Sequence, residues 1–278
     1  MNLSDDITAI SELCIHTQTN KPWNLVQCVE YYAGAGIQGI SIWRHLLDGI
    51  SIPETREILN AHGMNVISLV RGGFFVSTDA SERNRAIDDN LKAIEEAESI
   101  GAPLLVLVSG ADPGQSQFTS MEQIGEGITQ ILPSAEKAGI KLAIEPLHPM
   151  YAADRSAIST MKQANDMAET FHSDFLGVVV DVFHLWWDPD LKEEIFRCGA
   201  LGKLFAFHIC DWKPVMTDML NDRGLMGEGC IDLKQIRDWM KEAGFSGYLE
   251  VEVFSEKYWA MDQKQYLDQI KKAYLKHI

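Results

Sequence analysis

The run L176-G-V-V-V-D181 decides how this chain is read. It is apolar or glycine until its last residue, with no alternation of polar and apolar positions. Such a run fits a strand buried on both faces, as in a parallel sheet. Its terminal aspartate is costly to bury unless it is paired or bound to a cation. Three other runs have the same form: K141-L-A-I-E145, L204-F-A-F-H208 and Y248-L-E-V-E-V253. Glu145, Asp181, His208 and Glu252 therefore close four strands that otherwise read as core.

Outward from these runs, short apolar segments alternate with longer amphipathic ones. Strands are predicted over 10–16, 37–43, 64–70, 103–108, 140–145, 176–181, 203–210 and 247–253. Helices are predicted over 22–33, 52–62, 81–100, 120–138, 156–171, 189–198, 232–243 and 260–277. Gly63, Gly101, Gly139, Gly199 and Gly244 sit where helix stops belong. Pro133 is expected to kink or divide the fourth helix. Eight strands and eight helices, at about 35 residues per unit, suit an α/β fold of the (β/α)8 TIM-barrel type. One domain over residues 1–278 is expected. A doubly wound open sheet usually carries a glycine-rich turn after its first strand, whereas this chain reads H16-T-Q-T-N there.

Composition narrows the function. Of 278 residues, 46% are hydrophobic and 23% charged, which is globular, and the formal net charge of −16 repels phosphate backbones. Nucleic acid is not expected as a partner, nor is a membrane, because the apolar runs are far too short to span one. The stretch M1-N-L-S-D-D-I-T-A-I-S-E-L-C14 has no basic n-region and no apolar h-region, unlike a secretory leader. Five scattered cysteines without a CxxC pair fit reduced thiols, and a cytoplasmic location is expected.

In a barrel the C-terminal strand ends face one mouth. Glu145, Asp181, His208 and Glu252 follow one another at 36, 27 and 44 residues, each about one strand-helix unit. Taken singly, a strand-end aspartate is often a helix cap, and a histidine is often a hydrogen-bonded core residue. Four successive strands with such ends point instead to a shared site. The set is hard and oxygen-rich, suited to one divalent ion: Mn²⁺ or Mg²⁺, with Co²⁺ or Zn²⁺ compatible. Glu250 points the same way as Glu252 but deeper, and needs its own partner. His184, His148, Arg155, Asp211, Arg223, Trp43, Trp186 and Trp187 are expected near the same mouth. Aromatic faces beside hydrogen-bonding groups suit a carbohydrate. Arg71, in the loop after the third strand, suits an anionic group or a helix cap.

The chain resembles the xylose-isomerase-like sugar isomerases and epimerases in I144-E-P, V180-D-V-F-H184, F207-H-I-C-D211, G227-E-G-C-I-D-L233 and V251-E-V-F254. The resemblance implies one divalent metal on Glu145, Asp181, His208 and Glu252, substrate contacts from His184 and Arg223, and a homodimer or homotetramer. It also implies proton transfer next to a carbonyl of a keto sugar or inosose through an enediolate, with Glu145 and Glu252 as acid and base. An enolate can also expel a β substituent, so a dehydratase or β-eliminating lyase acting on a keto sugar or 3-keto-glycoside uses the same residues. A non-catalytic sugar-binding barrel is the alternative of another class.

Overall fold

Eight parallel strands pair in sequence order and close into a barrel, the first hydrogen-bonded to the last. The computed structural model describes residues 10–278; residues 1–9, most of the stretch read above for a leader, lie outside the described residues. The strands are β1 (Leu13–His16), β2 (Gly39–Trp43), β3 (Asn65–Gly73), β4 (Leu104–Val108), β5 (Lys141–Glu145), β6 (Leu176–Asp181), β7 (Leu204–Ile209) and β8 (Leu249–Val251). The main helices are α1 (Leu25–Gly34), α2 (Ile52–Ala61), α3 (Ala80–Ile100), α4 (Gln117–Ala138), α5 (Met161–Thr170), α6 (Leu191–Ala200), α7 (Leu233–Glu242) and α8 (Gln263–His277). The fold is the expected (β/α)8 barrel. Among the described residues no helix is long and apolar enough to cross a membrane.

Side chains alternate along each strand, and the two sets build different cores. Ile15, Ile40, Ile42, Leu69, Leu105, Leu142, Ile144, Val178, Val180, Phe207 and Val251 face outward under the helices. Inside, Val70, Leu104, Val106, Ala143, Val179 and Ala206 form a small apolar cluster. The remainder of the interior is polar. Cys14 Sγ lies 3.3 Å from Ser41 Oγ, and Ser41 and Ser68 donate to Glu250 Oε2 at 2.5 and 3.3 Å. Glu250 thus finds its partners on β1, β2 and β3, beneath the mouth.

Several boundaries shift from the sequence expectation, and three of the differences have a clear physical reason. α5 begins at Met161 rather than Ser156, because Thr160 and Gln163 form a reciprocal capping box that starts it there. α4 runs unbroken through Pro133; Ile128, Ile131, Leu132 and Ala135 are buried around it, and their burial offsets the roughly 3 kcal/mol an interior proline costs. β3 continues to Gly73, so Arg71 is a strand residue rather than a loop residue. The buried Asn90 of α3 holds that extension, accepting from Gly73 N at 2.7 Å and donating to Gly73 O at 2.8 Å. Gly73 has φ of 103°, and a Cβ there would collide with the Val108 carbonyl.

Candidate active site

Glu145 ends β5, Asp181 ends β6, His208 is the penultimate residue of β7, and Glu252 lies one residue past β8. Parallel register brings the strand ends level: Val108 pairs with Glu145, and Asp181 with His208. One donor atom from each of the four lies within 4.8 Å of the others, and all four residues are buried. His208 Nδ1 is 2.9 Å from Glu145 Oε1 and 3.9 Å from Asp181 Oδ2, so this nitrogen faces the carboxylates. Asp181 does two things at once. Its Oδ1 caps the helical turn Val182–Leu185, accepting from Phe183 N at 2.7 Å, while its buried Oδ2 has no hydrogen-bond partner and faces the cluster. Three carboxylates, one imidazole and an orphaned inward-facing oxygen fit a divalent cation.

The electrostatics show how strongly the cluster attracts positive charge. Burial raises the Asp181 carboxyl to about 7, with Glu145 and Glu252 adding to the rise against Arg223. Burial disfavours a charged His208, yet its hydrogen bond to Glu145 and the surrounding carboxylates push it up to about 10. Glu252 behaves oppositely. Burial opposes its ionisation, but His16 and Arg223 hold it well below the usual carboxylate range. Arg223 Nη1 donates to Glu252 Oε2 at 2.9 Å and lies 3.5 Å from Asp181 Oδ2.

His184 and His16 complete the polar surroundings. The backbone N–H of His148 lies 3.2 Å from His184 Nδ1, and Arg223 Nη2 lies 3.4 Å from Nε2, so two donors converge on the ring. Burial and the Arg223 charge keep His184 well below its ordinary pKa and therefore neutral. Nε2 lies 3.7 Å from Asp181 Oδ2, facing the cluster. His16, at the end of β1, is a site residue that sequence reasoning missed. Its Nε2 is 3.2 Å from Glu250 Oε2 and its Nδ1 is 3.1 Å from Glu252 Oε1. The available signal was its strand-end position, the same one that marked the other four.

Above the cluster opens a small cleft bordered by Trp43, Arg71, Glu145, Arg155, His184, Arg223, Glu252 and Phe254. Trp43, Arg155, His184 and Arg223 therefore stand where sequence reasoning expected them. Tyr151, Leu220 and Phe254 also line the cleft and were not foreseen. Three expected substrate contacts lie outside it. Asp211 is consumed by its own loop: its carboxylate accepts from the backbone N–H groups of Trp212, Gly227, Gly229 and Ile231. His148 stacks on Trp212 at 5.0 Å, edge-on to Trp187, with Nδ1 accepting from Met150 N. Trp186 packs against Trp212 on the outer side, near α6 and α7. Aromatic packing and backbone hydrogen bonds turned these three away from the mouth.

The family model described as xylose isomerase-like TIM barrel matches residues 29–276. An inosose isomerase of Bacillus subtilis is 27% identical over 207 residues, covering 72% of this chain and 71% of that protein. The crystal structure of protein SMc04130 from Sinorhizobium meliloti superposes with a TM-score of 0.93 at 42% identity, covering 96% of this chain and 98% of that one. The IolI protein, solved with a zinc atom, shares the fold with a TM-score of 0.85 at 24% identity, over 96% of this chain and 99% of that one. The chain belongs to the xylose isomerase-like TIM-barrel family and is an enzyme of the isomerase and epimerase type.

Proposed function

We propose that this enzyme moves a proton at the carbon next to a carbonyl of a keto sugar or inosose, interconverting isomers or epimers through an enediolate. The observation that carries this is the convergence of Glu145, Asp181, His208 and Glu252 at the floor of the cleft, with Glu145 and Glu252 also bordering it. These four residues would hold a divalent cation, Mn²⁺ or Mg²⁺ by the hardness of the donor set, with Co²⁺ or Zn²⁺ compatible. When bound, such an ion supplies Lewis-acid polarisation of the substrate carbonyl. The relative named inosose isomerase and the zinc of the IolI protein support the reading.

The chain's own groups divide the remaining work. Glu145 and Glu252 come from β5 and from beyond β8, on different sides of the mouth. A carbon between them meets a carboxylate on each face. One carboxylate accepts the α proton and the other returns a proton. Return to the opposite face of the same carbon inverts that centre. Return to the former carbonyl carbon, with a hydroxyl proton passing to the former carbonyl oxygen, gives the isomer. The Arg223 guanidinium, with His184 beside it, is the donor that orients substrate oxygens as negative charge develops. Trp43 and Phe254, edge to face at 5.4 Å, offer an apolar wall to a sugar's C–H face.

Incubation of the manganese-loaded enzyme with inososes and ketoses in D₂O, followed by proton NMR, tests the reading. Deuterium is expected to enter at the carbon α to the carbonyl. Absence of exchange on every carbonyl sugar would count against it, and release of water or an aglycone would move the reaction to elimination.

A further inference from the structure

Three arginines border the cleft, and they are not equivalent. Arg223 is paired through Nη1 with the buried carboxylates of Glu252 and Asp181. Arg71 and Arg155 are not. Arg71 lies with its guanidinium 4.5 Å from the Phe74 ring centroid and 5.6 Å from that of Trp43, and no carboxylate comes within 4.0 Å of it among the described residues. Arg155 has one loose ion pair, at 3.6 Å, with the solvent-exposed Asp154, and its buried Nε has no hydrogen-bond partner. Burial and the neighbouring Arg155 charge depress Arg71 below an ordinary arginine, while Glu145 and Glu252 work the other way. Two like charges thus face one small space in a protein whose net charge is −16.

The surroundings show that this placement is built. Arg71 sits on the β3 extension held by Asn90, and its carbonyl accepts from Arg44 Nη1 at 3.4 Å. Arg44 is itself fixed by Asp89 and Glu96. Arg155 follows the turn whose Tyr151 hydroxyl donates to the Met219 carbonyl at 2.6 Å, and its own carbonyl accepts from Gly110 N at 2.9 Å. Two cations facing one cleft with only the exposed Asp154 and the cluster glutamates Glu145 and Glu252 as counter-charge repel each other, and an anion bound between them relieves that repulsion. A guanidinium pair offers the forked donors that carboxylates and phosphates accept.

We infer that Arg71 and Arg155 form an anion subsite in the active-site cleft, so that the substrate is a keto sugar bearing a carboxylate or a phosphate remote from its reacting carbonyl. This rests on the reading of the site as one for keto sugars. Neutral sugars leave both guanidinium groups unmatched, and the anionic end sets the orientation in which the carbonyl reaches Glu145 and Glu252.

Equilibrium binding to the manganese-loaded protein, measured by calorimetry, tests the inference without relying on turnover. The probes are D-fructose, 5-keto-D-gluconate and D-fructose 6-phosphate. At least one anionic ketose is expected to bind about 10- to 100-fold more tightly than fructose, as charge-assisted hydrogen bonds imply. Which anion does so separates a sugar acid from a sugar phosphate. Arg71→Gln and Arg155→Gln are each expected to collapse the ratio toward one, and Arg71→Lys to keep part of it, with circular dichroism confirming the fold of each variant. Failure of both anions to bind more tightly than fructose, or a ratio unchanged in both glutamine variants, overturns the subsite. Anion preference without deuterium exchange on any ketose would instead remove the proton-transfer reading and leave the subsite standing.

Discussion

His16 Nδ1 lies 3.1 Å from Glu252 Oε1, across the seam where β1 and β8 join. The ring's other nitrogen contacts Glu250, so one imidazole braces two carboxylates of β8 and its extension. Burial alone would lower the His16 pKa, but the Glu252 and Glu250 carboxylates together raise it. His16→Gln is expected to weaken Mn²⁺ binding by about 10- to 100-fold, the usual effect of removing a residue that orients a ligand. Titration against a chelating dye checks this, and manganese affinity equal to wild type would take His16 out of that role.

Glu252 carries the largest expected loss of rate. It borders the cleft, contacts Arg223 and is held ionised. Glu252→Gln is expected to lower kcat by about 10²- to 10⁴-fold, the range of a lost proton-transfer group, with the near-ultraviolet circular dichroism unchanged. Turnover within a few-fold of wild type would show that this carboxylate moves no proton.

Asp211→Ala should act on stability before activity. Four backbone N–H groups of the loop before α7 lose their acceptor, and Asp211 is almost wholly buried. Unsatisfied buried donors cost about 1–3 kcal/mol each when water does not reach them. A fall in Tm of several degrees by calorimetry is expected, with substrate KM little altered in the fraction that remains folded. A large rise in KM at unchanged Tm would place Asp211 in substrate contact after all.

The Arg44–Asp89 pair predicts an acid-dependent contribution to stability. Arg44 donates to both carboxylate oxygens, at 2.7 and 2.9 Å, and this holds Asp89 below the ordinary aspartate value. A depressed folded pKa stabilises the fold fully above the unfolded value, near 3.9, and that contribution is lost as pH falls below it. Asp89 is largely exposed, so the pair is worth less than about 1 kcal/mol. The stability gap between Asp89→Asn and wild type at pH 7 is expected to narrow as pH falls below about 3.9 and to close below the depressed folded value. A gap of the same size at pH 3 as at pH 7 would show that the carboxylate's charge is not its source.

What could be read from the chain depended on the range of the forces involved. The apolar runs ending at Glu145, Asp181 and His208 are local patterns, and the strands follow them closely. Side-chain alternation also separated Glu252 at the mouth from Glu250 below. The exact start of α5 was available too, since T160-M-K-Q163 spells a capping box. Arg71 was misplaced because R71-G-G73 reads as a turn, and only the side chain of Asn90, arriving from another helix, keeps it in the sheet. His148, Trp186 and Asp211 follow strand ends closely in the chain. The directions of His148 and Trp186 are set by Trp212, and that of Asp211 by the glycine loop, each a partner more than ten residues away. The partners of Glu250 lay on three strands at the far end of the chain, beyond any local pattern.

The contact between His16 and Glu250 spans 234 positions of the polypeptide. A chain emerging from the ribosome therefore exposes His16 more than two hundred residues before its acidic partners follow. No shortened product that stops before β8 contains Glu250 or Glu252, so none completes the cluster of carboxylates and imidazoles at the mouth. Truncation should thus yield inert protein rather than an enzyme with loosened selectivity.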